Sequence, residues 1–202
     1  TELVINPLQL EDPIRNETQK RDNIYHALDP VYKARPKELE PVTRIGIRGQ
    51  ETLWLLPGHP GFAEYENTLS IAHQLSETIG PVRNIPGSLR HLINITAKQY
   101  NIDYVFVDVS PSLGSLNQNI VATSNRLIVP LCPDLFSGQA IETLSRTIPK
   151  WINWADRASK LDILQDADYP FPAPLTQVPW IHYPALQATQ GFTHCGLQRV
   201  FQ

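Results

Sequence analysis

The residues of this chain whose types and spacing suit chemistry gather behind one apolar run. Tyr104 to Val107 are four large β-favouring residues without alternation, the pattern of a strand buried on both faces, and the run ends in a carboxylate, Asp108. In open α/β sheets ligands bind beyond the carboxyl ends of the strands. An acid placed there suits a hydrated Mg²⁺ beside a nucleotide phosphate. Ser110 and Ser112 bring hydroxyls to the same place, and Pro111 and Gly114 turn the chain toward the next helix. The plainer roles are structural: a strand-end acid also caps a helix, and Ser112 also suits an N-cap. Neither serine sits in a G-x-S-x-G elbow, which argues against a hydrolytic nucleophile.

A second group lies further on. At 100° per residue, Arg146, Lys150, Arg157 and Lys160 fall within a narrow arc of a long helical stretch, opposite Ile141, Leu144, Ile148, Trp151 and Ala155. Glu142 and Asp156 dilute that basic stripe, and solvation is the ordinary fate of a charged helix face. A formal net charge of −3 and a pI near 6.0 give no global attraction to nucleic acid, so DNA binding would need a local patch such as this one. The six histidines, His26, His59, His73, His91, His182 and His194, show no H-x-x-x-H or C-x-x-C partner, which speaks against a His-rich metal site. Cys132 and Cys195 read as two free thiols of a reducing cytosol, and Trp151 and Trp154 as packing residues.

The elements that must position these residues follow from pattern. Residues 8 to 22 read as a surface loop leading to a short helix from about Asn23 to Leu28, stopped by Asp29-Pro30. Val42 to Ile47 and Thr52 to Leu56 form a hairpin whose second strand is the buried one. Phe62, Leu69, Ile71, Ala72 and Leu75 fit a helix from about Ala63 to Glu77, with Glu64 and Glu66 in its first turn. Ser88 is placed to cap the helix before the central strand, a helix begins at Ser112, and Leu127 to Leu131 reads as the next buried strand. A helix from Ser137-Gly138 to about Leu161 carries Pro149 as a kink or break. Strand and helix in alternation predict an α/β fold with a mostly parallel, doubly wound sheet.

On these residues the chain resembles the ParA-type partition ATPases, the MinD-like branch of the P-loop NTPases. Asp103 to Gly114 looks like the Walker B and switch segment, Arg126-Leu-Ile-Val-Pro-Leu-Cys-Pro-Asp134 like the next strand and loop, and Leu53-Trp-Leu-Leu-Pro-Gly-His59 with Glu64 and Glu66 like an earlier segment in the right order. Two departures stand out. Family members usually carry two prolines after the Walker B acid, where this chain has Ser110-Pro111. No G-x-x-x-x-G-K-[ST] occurs anywhere, nor the deviant form with an extra lysine.

The resemblance implies ATP and Mg²⁺ as cofactors of a full-length parent, with Asp108 on the metal side and Ser110, Pro111, Pro133 and Asp134 lining the nucleotide or the dimer face. It implies a homodimer, non-specific DNA bound through Arg146, Lys150, Arg157 and Lys160, and a centromere-binding partner protein. A cytoplasmic location and no membrane are expected, since no segment approaches a membrane-spanning length. The chain contains no Met, and Thr1 falls about where the family's first βαβ unit would end, so a piece lacking its P-loop is expected, inactive toward ATP by itself. Residues 1–174 are read as a partial ParA-like domain. Residues 175–202 follow no family pattern and are read as an unassigned, aberrant tail from an altered end of the gene. The alternatives are a non-catalytic interaction module of the same fold and a metabolite ligase of the same superfamily.

Overall fold

The computed structural model describes residues 2–5, 23–35, 37–47, 49–75, 82–130 and 135–174. Four strands make one mixed sheet in the order β2-β3-β1-β4, with β1 Glu2–Ile5, β2 Ile45–Ile47, β3 Gln50–Leu55 and β4 Tyr104–Val107. β1 lies parallel between β3 and β4, pairing Glu2 with both Leu53 and Tyr104. β2 and β3 form the expected hairpin, antiparallel, with the register slipping between Gly46 and Ile47. Its turn holds Gly49 at φ 80, a conformation that costs glycine little. Burial grows along β3 toward Leu55, so this second strand enters the core by its far end.

The expected strand over Leu127 to Leu131 does not join the sheet. Residues 126–130 carry no sheet pairing, and Leu131 lies outside the described residues. An apolar run reports a demand for burial, which Leu127, Ile128 and Val129 meet by half, and Pro130 has no N–H to give a ladder. Among the described residues β4 is therefore an edge strand, and its Tyr104 is 64% exposed.

Helix α1, Ile24–Tyr32, starts where Asn23 Oδ1 accepts the His26 N–H at 3.0 Å. It runs on through Asp29-Pro30, correcting the expected stop. Pro30 removes a single helical hydrogen bond so near the end, and Asp29 is held in place by Lys33, by Arg35 at 3.0 Å and by the Tyr65 hydroxyl at 3.1 Å. The helix ends instead at Tyr32, with Lys33 as its cap and Ala34 beyond it in the left-handed region at φ 48. Helix α2, Phe62–Leu75, buries Phe62, Tyr65, Leu69 and Ala72.

Helix α3 is Ile85–Tyr100, four residues earlier than a Ser88 cap would put it. Ser88 is fully buried and donates its hydroxyl to the Ile85 carbonyl at 2.7 Å, so Pro86 in the first turn is the real start signal. The N-cap residue Asn84 spends its side chain on Asp168, donating to Oδ2 at 2.7 Å and accepting the Asp168 N–H at 2.9 Å. Next to it, Gly87 has the Tyr169 carbonyl oxygen only 2.0 Å from where a Cβ would stand.

Helix α4 is Ser115–Thr123 and helix α5 is Leu135–Ala158, followed by the short α6, Asp162–Gln165. α5 passes Pro149 as one helix rather than breaking there. Its buried face is Ile148, Trp151, Ala155 and Ala158, while Ile141, expected to point inward, is exposed. The first turns of α5 stand clear of the core.

The interior divides into two clusters. The larger gathers Leu28, Val42, Leu56, Leu69 and Leu92 from α1, α2, α3 and the segments flanking β2 and β3. The smaller joins Ala122, Ala155, Ala158, Leu164 and Phe171, with Trp154 against it. Residues 175–202 lie outside the described residues.

Candidate functional site

β4 delivers Asp108 to its carboxyl end as the sequence pattern requires. Asp108 is exposed, and among the described residues no side chain or backbone group is bonded to its carboxylate. Ser110, Pro111 and Ser112 are exposed beside it in the chain, the two serine hydroxyls 3.2 Å apart.

One buried side chain shapes this loop. The Asn117 amide in the first turn of α4 donates to the carbonyls of Ser110 at 2.6 Å and of Ser112 at 2.7 Å. A second turn closes as the Ser112 N–H donates to the Ser110 carbonyl at 2.8 Å. The helix cap is Gly114, so Ser112 is not the N-cap and α4 begins at Ser115, later than expected. Glu66 of α2 explains the glycine: a Cβ on Gly114 would fall 1.7 Å from Glu66 Oε1. Ser115 adds a hydrogen bond from its hydroxyl to the Glu66 carbonyl at 2.8 Å. Sequence reasoning missed Asn117 and the reach of Glu66. A buried Asn among the apolar positions of a short helix was the available signal for the first.

An exposed oxygen donor with no partner among the described residues suits a hard cation that keeps most of its waters, so the chemistry of Asp108 fits a metal-side acid. The phosphates are another matter. No glycine-rich cradle is present in the sequence, and among the described residues no lysine or arginine pairs with Asp108 or with the hydroxyls of Ser110 and Ser112. No group of three or more His, Cys, Asp or Glu among the described residues is placed to hold a metal. Pro133 and Asp134 lie outside the described residues.

The basic stripe is on the outer side of α5 and just beyond it. Arg146 is ion-paired to Glu142, and Lys160 to Asp156 at 2.7 Å. Lys150 and Arg157 are exposed with no ion pair among the described residues. They are the two charges of the stripe open to an external anion.

A cavity of about 880 Å³ lies elsewhere, between the end of α1 and the start of α3. Arg35, Lys37 and Arg83 line it together with Glu38 and Asp168, a mixture that selects neither sign of ligand. Among the described residues no helix is long and apolar enough to cross a membrane.

A family model described as an AAA domain matches residues 11–163, most of the chain. No curated protein sequence matches. A crystal structure of a Corynebacterium diphtheriae protein is similar at TM-score 0.58 and 22% identity, covering 75% of this chain and 55% of that one. A crystal structure of a plasmid partition protein from Borrelia burgdorferi gives TM-score 0.46 and 17% identity, covering 74% of this chain and 61% of that one. The chain thus spans a little over half the length of these two proteins. The first likeness is one of fold. The family rests on the matched span: the chain belongs to the AAA-domain family, as a member of the ParA-type branch of the P-loop ATPases.

Proposed function

We propose that this chain is part of an ATP-dependent partitioning protein that acts on plasmid or chromosomal DNA, and that it supplies the metal-side acid of the nucleotide site. The carrying observation is Asp108, an exposed carboxylate at the end of β4 with no partner among the described residues, on a loop fixed by Asn117. Asp108 would hold the hydrated Mg²⁺, and the Ser110 and Ser112 hydroxyls would stand toward the phosphates. Bound ATP with its metal would supply the phosphoryl group and the charge that a dimer senses. The phosphate cradle would come from sequence outside these 202 residues, which contain none. In that parent the sheet would be the doubly wound, mostly parallel one of the P-loop type.

The same reading makes the protein a homodimer in its ATP state, bound to DNA without sequence preference and reset by a centromere-binding partner. Exposed apolar side chains support an interface: Leu113 after the Asp108 loop, and Leu135 and Phe136, 74% and 78% exposed, at the start of α5. Arg146, Lys150, Arg157 and Lys160 are the DNA-facing residues of this reading, with Lys150 and Arg157 carrying its unpaired charge. Pro133 and Asp134 complete the base or dimer side.

ATP turnover tests it. The purified 202-residue chain is expected to show no Mg-dependent hydrolysis, and measurable turnover would refute the division of labour. In a parent protein that supplies a P-loop, Asp108→Asn is expected to lower turnover by roughly tenfold or more, about 1.4 kcal/mol of barrier. Unchanged turnover in that variant would take Asp108 out of the site.

A further inference from the structure

The two hydrophobic clusters meet at a polar junction. His73, in the last turn of α2, packs its ring against Trp154 of α5, the planes tilted by 40° with 4.1 Å between centroids, and the Trp154 indole N–H donates to the His73 carbonyl at 3.4 Å. From α4, Asn119 points its amide nitrogen at His73 Nε2, 3.4 Å away, while the same nitrogen donates to the Pro86 carbonyl of α3 at 2.9 Å. Trp154 in turn lies edge-on to Phe171 at 5.3 Å. His73 therefore touches both the main body and the satellite cluster built on α5 and Phe171.

The hydrogen-bond chemistry fixes the tautomer. An amide nitrogen can only donate, so Nε2 must accept and the ring proton sits on Nδ1, which is buried without a partner among the described residues. A second proton on the ring would set an N–H donor against the Asn119 N–H. Rotating the amide would free the Pro86 carbonyl instead. Imidazolium therefore costs this junction one of its hydrogen bonds, even though the Asn119 Oδ1 is buried without a partner of its own among the described residues.

We propose that the His73–Asn119–Trp154 junction is an acid-sensitive latch: protonating His73 releases the satellite formed by the second half of α5, α6 and Phe171 while the main body stays folded. The groups facing His73 are Asn119 from α4, Trp154 from α5 and the Pro86 carbonyl of α3 through Asn119. Among the described residues none is a carboxylate that would hold the cation. The charges of α5 nearest Trp154 in sequence are Asp156, which is ion-paired to Lys160, and the exposed Arg157 and Lys150. Burial accordingly holds the His73 imidazole down at about 4, against its ordinary 6.5. An unfolded or released His73 binds a proton more readily, so the latch weakens as pH falls from about 6.5 toward 4. In the main body burial also lowers the His91 imidazole, packed against Tyr169, so the last acid-linked support there is that of Asp29. Burial raises Asp29, but hydrogen bonds from Lys33 and Tyr65 and the charges of Lys33 and Arg35 outweigh it and keep the carboxyl below 3.8.

The test is an acid titration of the whole chain by NMR, following amide signals of Ala155, Ala158 and Leu164 against those of Leu28, Leu69 and Leu92. The satellite signals are expected to lose their folded shifts at a pH roughly one unit or more above the body signals, with the His73 ring titrating at the same midpoint. In His73→Phe, or His73→Gln if the first folds poorly, the two transitions should merge at the lower pH. Simultaneous loss in the unaltered chain, a His73 ring that titrates near 6.5 with the satellite intact, or an undiminished gap in the variants would each overturn the latch.

Discussion

At the scale of single residues, two glycines show how differently one atom can matter. At Gly114 the intruding neighbour is the end of the Glu66 side chain, which can swing away. At Gly87 it is the backbone carbonyl of Tyr169, 2.0 Å from an added Cβ, with the Pro170 carbonyl at 2.8 Å. Backbone held by Asn84 and by the Leu39 N–H on the Tyr169 hydroxyl cannot yield. Gly87→Ala is therefore expected to cost about 3 kcal/mol or more, and Gly114→Ala about 1 kcal/mol, both read by urea unfolding. Equal costs would mean that the segment from Asp168 to Pro170 does not press on α3. Neither close approach was visible in the sequence, where Gly87 follows a proline and Gly114 follows a leucine. Asp108 was legible, because four unbroken apolar residues before an acid is a pattern that chain chemistry alone explains.

At the scale of elements, local rules located helices well and their ends less well. The hairpin β2–β3, the span of α2 and the place of β4 follow from periodicity. The misplaced boundaries share one cause: tertiary partners overrode the local signal. Asp29-Pro30 reads as a stop only when the Lys33, Arg35 and Tyr65 contacts to Asp29 are unknown. Ser88 reads as a cap only when its burial is unknown. For α1 the consequence is testable by pH. The depressed Asp29 carboxyl contributes stability that is present above the ordinary carboxylate range and is lost as pH falls through its folded value. Asp29→Asn should lower Tm more at pH 7 than at an acid pH below the ordinary carboxylate range, because the stabilising charge is lost from the native protein as pH falls through its folded value. An equal penalty at both pH values would assign the effect to packing instead of charge. The strand expected at Leu127 to Leu131 teaches the converse: apolar content forecast burial, but pairing needs a neighbour with a free edge beside it.

At the scale of the whole molecule, charge distribution matters more than net charge. Within an overall −3, Lys150 and Arg157 are the exposed cations of the α5 face with no ion pair among the described residues, since Glu142 and Asp156 occupy the other two. If the dimer binds DNA through this face, reversing both to glutamate in a DNA-binding parent should weaken binding and flatten the dependence of log affinity on log salt by about two units. Unchanged affinity and slope would move the DNA surface elsewhere. The stripe was legible from helical periodicity, yet its pairing was not, because ion pairs depend on which rotamers the helix surface allows. The satellite cluster was the least legible part. Phe171 sits in a Pro-rich run that resembles a loop, and its burial depends on α5, α6 and Trp154 arriving from elsewhere in the chain.

The clasp between Asn84 and Asp168 joins residues 84 positions apart, and the Leu39 N–H reaches the Tyr169 hydroxyl across 130 positions. Synthesis runs from one end only. The start of α3 and the loop before β2 therefore leave the ribosome long before the residues that fasten them, and must wait in an open state while half the chain is still being made. Completion of this domain is a late event in its own synthesis, set by the arrival of the segment around Tyr169, and a pause in translation before that point would prolong the open state.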